Sequence, residues 1–365
     1  MPTFTIVAGA RPNFMKIAPI IRAIQKRQQS QPNLSYRLVH TGQHYDQKMS
    51  GDFFEQLNIP QPHSNLGGGG GTQAEQTASI MVAFEKELLD NPCDLVLVVG
   101  DVTSTLACSI TAKKLGIDVA HVEGGIRSGD LTMPEEINRM VTDSITDHFF
   151  TTSEIANENL RKSGFSEDKI HFVGNTMIDT LMAQMPRFRK PEGEVFEEIE
   201  PKEYFVMTMH RPANVDQEHK LKAMIDAILE GTQGLPIIFP VHPRTAKNLQ
   251  SIGIQSENLK MCEPLGYLEF NYLVQNAKGV ITDSGGITEE ASVMNVPCIT
   301  LRDNTERAET IHLGTNELVG TDPSKLRPFL DQIMKGEWKQ YQGIPLWDGK
   351  TSGRIVDILC NTYAS

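Results

Sequence analysis

The sequence predicts an α/β protein of two Rossmann-like domains, each built on a doubly wound parallel sheet. Its 365 residues fit about two domains of ordinary size. Short apolar runs alternate along the chain with amphipathic stretches of about 10 to 15 residues, which is the pattern of βαβ units. A stretch rich in Pro, Glu and Lys separates two such series. We therefore expect an N-terminal domain over 1–180, a linker over 181–203, a C-terminal domain over 204–348 and a last helical segment over 349–365.

Six apolar runs in the first half have the length and composition of buried strands. They are Phe4–Ala8, Tyr36–His40, Asp94–Gly100, Ile117–Val122, His148–Thr152 and Lys169–Val173. Amphipathic stretches between them predict helices at Met15–Gln28, Thr77–Asp90 and Ser104–Leu115. A further helix is expected to begin at Pro134, because proline is favoured in the first helical turn. Five consecutive glycines, Gly67–Gly71, predict a loop.

The second half repeats the scheme. Its predicted strands are Tyr204–Met209, Pro236–Pro240, Leu259–Cys262, Gly279–Thr282 and Val296–Leu301. Helices are predicted at Glu218–Glu230 and Glu289–Met294, and a last one in the segment 349–360 is expected to pack on the first domain. Two such domains are expected to face each other across a cleft into which the carboxyl ends of both sheets open, where ligands bind in folds of this class.

Composition and charge restrict the class of function. A net charge of −12 argues against nucleic-acid binding, which needs a basic surface. No run approaches the roughly 20 apolar residues of a membrane span, and the N-terminus enters a strand without a secretion signal, so we expect a cytoplasmic protein. The five cysteines lack metal-ligand spacing, so no metal site is expected. Clusters of cations on an acidic chain suit a small anionic ligand.

One motif places acids at a strand end and on the next helix. Glu123 follows the strand that ends at Val122, and the helix that begins at Pro134 carries Glu135 and Glu136 in its first turn. Positions i and i+4 share a helical face, so Glu135 and Arg139 are expected to point the same way, with Glu136 rotated off. The alternative interpretation is a helix start stabilised by acids near the positive end of its dipole.

A third acid, Asp101, follows another predicted strand. It is either a helix-capping residue or a carboxylate on the edge of the sheet. With Glu123 and Glu135 it makes three acids near one sheet edge, a composition that suits general acid/base chemistry.

Turns after strands also predict phosphate contacts. The first strand leads through Gly9 to Arg11 and Lys16 at the start of a helix, although the segment matches neither dinucleotide nor Walker patterns. The strongest signal is Asp283–Glu290, where Ser284, Gly285 and Gly286 expose backbone amides before a helix and Glu290 suits the two hydroxyls of a ribose. His210 and Arg211 follow a strand, and Arg307 follows another; each cation could also be a paired surface charge.

These segments, in this order, resemble the non-hydrolysing UDP-N-acetylglucosamine 2-epimerases over essentially the whole chain. The matching motifs are GARPNFMKIAPI from Gly9, TGQHYD from Thr41, VVGDVTSTLA from Val98, HVEGGIRSGD from His121, PEEINR from Pro134, VGNTMIDTL from Val173, DSGGITEEA from Asp283, LRDNTERAE from Leu301 and DGKTSGRIVDIL from Asp348.

The resemblance implies a fold like that of the B-type glycosyltransferases, usually as a homodimer, with UDP held mainly by the C-terminal domain. It implies interconversion of UDP-N-acetylglucosamine and UDP-N-acetylmannosamine without NAD or another cofactor, by anti elimination of UDP and its re-addition to a 2-acetamidoglucal. The catalytic residues implied are Asp101, Glu123, Glu135 and His210. The substrate-binding residues implied are Arg11, Lys16, Arg139, Arg211, Phe270, Ser284, Gly285, Gly286, Glu290 and Arg307. Which two of the three acids act on opposite faces of the sugar is left open.

The chain departs from the regulated bacterial members of that family. They bind a second UDP-N-acetylglucosamine through an Arg-Gln pair where this chain has Gly70 and Gly71, and through an Arg where it has Pro212, although Gln43 and His242 remain. We therefore predict hyperbolic kinetics, which a Hill coefficient well above one would contradict. The alternatives are a hydrolysing relative that releases N-acetylmannosamine, a B-type glycosyltransferase, and a UDP-sugar sensor without catalysis.

Overall fold

The computed structural model describes residues 2–42, 57–215, 217–241, 246, 249, 252–254 and 256–363, apart from the side chains of Arg11, Pro212 and Ala213. The chain divides into two compact units. Unit 1 comprises Met1–Ala183 together with Pro345–Ser365, and unit 2 comprises Gln184–Ile344. Gln43 and His242 lie outside the described residues.

Unit 1 is built on a seven-stranded sheet in the order β3-β2-β1-β4-β5-β6-β7, with every neighbouring pair parallel. The strands are β1 Thr3–Ala8, β2 Ser35–His40, β3 Ser64–Asn65, β4 Leu95–Val99, β5 Asp118–Val122, β6 His148–Thr151 and β7 Ile170–Phe172. The helices are α1 Arg11–Gln28, α2 Gln73–Asp90, α3 Thr103–Lys114, α4 Pro134–Ser144, α5 Glu154–Lys162 and α6 Thr176–Gln184.

The strand order of unit 1 reverses between β1 and β4, which places a topological switch point there. All five residues of β4 are apolar and buried, as expected of a central strand covered on both faces. The carboxyl ends of β1 and β4 lead to Gly9 and Gly100, so the turns after these two strands lie at the position where ligands bind in such sheets.

Unit 2 contains a six-stranded parallel sheet in the order β10-β9-β8-β11-β12-β13. The strands are β8 Phe205–Thr208, β9 Ile237–Pro240, β10 Leu259–Cys262, β11 Gly279–Thr282, β12 Cys298–Thr300 and β13 Asn316–Leu318. The helices are α7 Glu194–Glu197, α8 Pro212–Val215, α9 Glu218–Gly231, α10 Tyr267–Asn276, α11 Gly285–Val293, α12 Ala308–His312 and α13 Leu326–Lys335. The switch point lies between β8 and β11.

Two apolar clusters cover the two faces of the unit 2 sheet. Phe205 and Met207 belong to one cluster, and Tyr204 and Val206 to the other. Alternate residues of a strand point to opposite faces, so β8 supplies both clusters, and its first three residues are buried. Both expected Rossmann-like parallel sheets are therefore present.

The two units are not two consecutive stretches of the chain, because unit 1 also includes residues 345–365. The last helix, α14 Thr351–Thr362, packs against α1 in unit 1, and Asp179 of α6 accepts hydrogen bonds from the backbone N–H groups of Thr351 and Ser352 at 3.0 and 2.7 Å. Within the segment that we expected to be a linker, Phe196 and Ile199 are buried in one apolar cluster of unit 2.

The eleven strands predicted from apolar runs all occur, with ends that differ by a few residues. The predicted helices occur as well; α1, α2 and α11 begin four residues earlier than expected. β3 and β13 were not predicted, because strands of two and three residues carry little pattern of their own.

Candidate functional site

In unit 1, a buried ion pair lies at the carboxyl end of β5. Glu123 has a backbone φ of +73°, a region that residues other than glycine rarely adopt and that is often associated with functional sites. Its Oε2 lies 2.8 Å from Nζ of Lys16, and both side chains are buried. Gly100 has a φ of +68°, and a Cβ there would lie 3.0 Å from the same Nζ, so glycine gives the ammonium group its place beside β4.

The turn between β1 and α1 is fixed by Asn13. Its Oδ1 accepts the backbone N–H groups of Gly9 and Ala10, both at 3.0 Å, and its Nδ2 donates to the carbonyl of Val99 at 3.2 Å. These bonds connect the ends of β1 and β4 and place Lys16 on the first turns of α1. The side chain of Arg11 lies outside the described residues.

Asp101 is held by two neighbours on α4. Arg139 donates to its Oδ2, and Nδ2 of Asn138 donates to its backbone carbonyl at 2.8 Å. The Asp101 side chain is 30% exposed, whereas Arg139 is buried, so the carboxylate keeps a solvent-facing side beside a desolvated cation. A carboxylate in this position can exchange a proton with a ligand.

The helical partner of Arg139 differs from our expectation. Arg139 contacts Glu136 at 2.7 Å, and Glu136 also accepts the backbone N–H groups of Ser128 and Gly129 at 3.0 Å each. Burial raises the pKa of Glu136, but the hydrogen bonds from the Ser128 backbone, Arg139 and the Gly129 backbone outweigh it and lower that pKa overall. Glu135 is exposed. We expected Glu135 to share a helical face with Arg139 and Glu136 to point away, and this was wrong. Arg139 pairs with Glu136, three residues earlier, because the loop at Ser128 and Gly129 also holds the Glu136 carboxylate.

In unit 2, a buried acid organises the turn after β8. Asp283 accepts the backbone N–H groups of His210 and Arg211 at 3.0 and 2.9 Å and lies 2.7 Å from Nδ1 of His210. Asn214 donates to the same carboxylate at 3.0 Å. Burial raises the pKa of Asp283, but these hydrogen bonds outweigh it and bring the pKa to about 2. The His210 side chain is 63% exposed and held by its Nδ1.

The segment after β11 has the geometry of a helix start with exposed amides. Ser284 precedes α11, and a Cβ on Gly286 would meet open space, so the amides at this end are accessible to an anion. A Cβ on Gly285 would lie 2.8 Å from Oε1 of Glu306, which pairs with Arg302 at 2.6 Å. This part of unit 2 therefore combines backbone amide donors with a neighbouring Arg302–Glu306 ion pair.

Three further predicted residues lie around α10 and α11. Glu290 is buried and accepts a 2.7 Å hydrogen bond from the hydroxyl of Tyr267; burial raises its pKa to about 7, against the opposing effect of hydrogen bonds from Tyr267 and Asn271. Phe270 is partly buried against an apolar cluster of unit 2. The buried Nε of Arg307 lies 2.8 Å from Oε1 of Glu289.

The structure thus brings Lys16 to Glu123 and Arg139 to Asp101 within unit 1, and it places His210 and Arg211 against the turn at Asp283 at the switch point of unit 2. Polar residues that hold these groups were missed from the sequence: Asn13, Asn138, Glu136, Asp283, Asn214 and Tyr267. Asp283 was detectable, since it follows a strand directly. Within the described ranges, no helix is long and apolar enough to cross a membrane and no group of three His, Cys, Asp or Glu could hold a metal ion.

Comparison with known proteins gives matches over nearly the full length. A family model described as UDP-N-acetylglucosamine 2-epimerase matches residues 26–360. A UDP-N-acetylglucosamine 2-epimerase of Methanocaldococcus jannaschii is 43% identical over 367 residues, covering 97% of this chain and 98% of the relative. A crystal structure of the enzyme from that organism, in complex with UDP-GlcNAc and UDP, has a TM-score of 0.85 and 43% identity, covering 98% of this chain and 99% of that chain.

A relative with a different printed substrate is also similar. The UDP-2,3-diacetamido-2,3-dideoxy-D-glucuronate 2-epimerase of Pseudomonas aeruginosa is 37% identical over 366 residues, covering 98% of this chain and 99% of the relative. The two kinds of relative share the 2-epimerase name and differ in the sugar attached to UDP. With the parallel sheets and switch-point residues described above, these matches show that the chain belongs to the UDP-N-acetylglucosamine 2-epimerase family.

Proposed function

We propose that this protein interconverts UDP-N-acetylglucosamine and UDP-N-acetylmannosamine without hydrolysing them. One observation carries the proposal: in a chain of the 2-epimerase family, the carboxylates of Asp101 and Glu123 lie at one sheet edge, each in contact with a basic side chain. Removing and returning a proton on opposite faces of C2 requires two proton-transfer groups, and this edge supplies them.

Inversion at C2 is difficult because no neighbouring carbonyl stabilises the carbanion. Elimination offsets this: a carboxylate takes the C2 proton, the C1–O bond breaks with its electron pair leaving on the diphosphate, and a C1–C2 double bond forms. UDP then adds back to C1 while a second acid delivers a proton to the other face of C2. No hydride moves, so the reaction needs no nicotinamide.

The nucleotide would be bound by unit 2. His210, Arg211, and the amides of Ser284, Gly285 and Gly286 would meet the charge that develops on the departing diphosphate, and Glu290 would accept the ribose hydroxyls. Asp283 accepts from Nδ1 of His210 and so leaves Nε2 for the phosphate. By resemblance, Arg11, Lys16 and Arg139 would contact diphosphate or sugar, with Phe270 and Arg307 completing the binding set.

The test is incubation of the protein with UDP-N-acetylglucosamine in D₂O. The expected result is an equilibrium mixture of the two sugar nucleotides carrying deuterium at C2, read by NMR and mass spectrometry. Free N-acetylmannosamine accumulating with UDP would indicate a hydrolysing enzyme instead. Absence of deuterium would favour a glycosyltransferase or a sensor.

Two variants tie that reaction to the site. Asp101→Asn and Glu123→Gln are each expected to lower turnover by about 10²-fold or more, because each removes a proton-transfer group. UDP affinity should fall far less than turnover, since most of the proposed UDP contacts lie in unit 2. Near-wild-type turnover in both variants would remove these acids from the mechanism.

The Pseudomonas relative is named for a different sugar nucleotide, so the substrate of this protein needs a separate test. UDP-2,3-diacetamido-2,3-dideoxy-D-glucuronate is therefore assayed beside UDP-N-acetylglucosamine at equal concentration. We expect the higher kcat/KM with UDP-N-acetylglucosamine, in line with the higher identity to the Methanocaldococcus enzyme. The opposite ratio would keep the 2-epimerase chemistry and correct the substrate.

A further inference from the structure

A buried histidine beside the proposed acids has no role in the reaction above. His121 lies in β5, two residues before Glu123, and is completely buried. Its Nδ1 is 2.7 Å from Oδ1 of Asp143, and its Nε2 is 2.8 Å from the carbonyl oxygen of Gly100. The ring therefore spans the end of β4 and the last turn of α4.

The partners of His121 define the roles of its two ring nitrogens. A carbonyl oxygen can only accept, so Nε2 donates to Gly100. Asp143 already accepts from the backbone N–H of Gly125 at 3.1 Å and from Arg127 at 2.6 Å. Burial raises the pKa of Asp143, but His121 and Arg127 outweigh it and keep this group ionised, so Nδ1 donates as well. Each ring nitrogen of His121 therefore faces an acceptor, and both hydrogen bonds form only if each nitrogen carries a proton.

These bonds join both proposed acids to α4. The carbonyl held by His121 belongs to Gly100, the residue before Asp101, while Asn138 and Arg139 hold Asp101 itself. On the other side, Asp143 fixes the loop after β5 through Gly125 and Arg127, immediately beyond Glu123. One helix thus anchors the segments that carry the two carboxylates.

We propose that His121 and Asp143 are a positioning pair that sets the separation between the carboxylates of Asp101 and Glu123. This inference rests on the proposed function, because the separation matters only if both groups act on C2. A shift of about 1 Å in a reacting group costs about 10²-fold in rate, so loss of the pair should be felt in turnover.

The test compares Asp143→Asn and His121→Asn with the wild-type protein. Each variant is expected to lower kcat by about 10²-fold, with deuterium uptake at C2 falling in parallel, because the acids lose their alignment. KM and the Kd for UDP should stay within about twofold, because most of the proposed UDP contacts lie in unit 2 and neither His121 nor Asp143 is among the others. Circular dichroism and thermal melts confirm that each variant is folded at the assay temperature.

Asp179→Asn is the matched control. Asp179 is also a buried carboxylate of unit 1 that accepts hydrogen bonds, here from Thr351 and from the N–H and hydroxyl of Ser352. It should lose stability while keeping kcat. A fall in kcat no larger for Asp143→Asn than for Asp179→Asn overturns the positioning role, as does a parallel loss of UDP affinity.

A second measurement does not depend on turnover. In ¹⁵N-histidine spectra of the wild-type protein, both ring nitrogens of His121 should carry protons, with the assignment made from the His121→Asn spectrum. A neutral ring overturns the inference, since one hydrogen bond is then absent. A wild-type protein that epimerises neither UDP-sugar removes the proposed function and this inference together, whereas full activity in both variants removes the inference alone.

Discussion

Substitutions of two neighbouring acids on α4 should separate an effect on stability from an effect on turnover. Glu136 is buried among four donor groups, from Ser128, Gly129 and Arg139, whereas Glu135 is exposed. Glu136→Gln should lower the free energy of unfolding by about 3 kcal/mol, because it leaves Arg139 without one buried partner. Glu135→Gln should change stability by less than about 0.5 kcal/mol, because its site is exposed, yet lower turnover if it is an acid/base group as the family resemblance implies.

Denaturant titration and deuterium uptake at C2 measure the two effects separately. Equal stability of the two variants would contradict the structural difference between the two positions. Normal turnover in Glu135→Gln would leave proton transfer to Asp101 and Glu123.

The buried carboxyl of Glu290 should make stability depend on pH. Burial raises its pKa from 4.5 to about 7, so the native state holds a proton that the unfolded chain releases in this window. Its contribution is fully present below pH 4.5 and is lost as pH rises through 7. The loss amounts to about 3 kcal/mol.

Glu290→Gln removes this dependence because the amide does not ionise. The free energy of unfolding of unit 2 is measured near pH 5 and near pH 8. Between these two values, the wild-type protein should lose more stability than the variant. Identical losses in the two proteins would mean that Glu290 titrates normally.

Side-chain identity was easier to predict than side-chain pairing. The motifs pointed to Lys16, Glu123 and Arg139, but the choice of Glu136 over Glu135 depends on the N–H groups of the loop at Ser128 and Gly129. That loop approaches α4 only in the folded chain. Helical periodicity cannot report a contact made by a loop.

At the scale of elements, Asp179 should control the attachment of α14. Its carboxylate accepts the first backbone N–H groups of that helix. Asp179→Ala is expected to cost about 1 to 2 kcal/mol, as for other helix caps, and to speed hydrogen exchange over 351–362 with turnover unchanged. Asp357→Ala on the same helix is the control, since Asp357 is 63% exposed and pairs with Arg27 at the surface. Equal effects of the two substitutions would contradict the capping role.

Periodicity predicted the central strands well for a physical reason. β4 is a central strand covered on both faces, so all five of its residues are apolar, and this unbroken apolar run is visible in the sequence. The edge strands β3 and β13 owe their existence to one neighbour each, β2 and β12. Their two and three residues form no apolar run, so the sequence alone did not predict these strands.

For the whole molecule, we propose an exposed apolar stripe as the surface at which the expected homodimer would form. Ile137 and Met140 lie one turn apart on α4, 49% and 45% exposed, with Leu131 before the helix 65% exposed. We expect a dimer by light scattering at micromolar concentration. Ile137→Glu with Met140→Glu should give a folded monomer, because charges on the stripe oppose its burial. A monomeric wild-type protein would contradict this.

The division of the chain has a consequence for biosynthesis. Unit 2 is one continuous stretch, whereas unit 1 takes residues from both sides of it. On the ribosome, every residue of unit 2 is available before Trp347 and α14 emerge to join α1 and the carbonyl of Thr152. Unit 1 therefore begins synthesis first and finishes folding last. Until α14 has been made, the apolar side of α1 lacks the helix that packs against it.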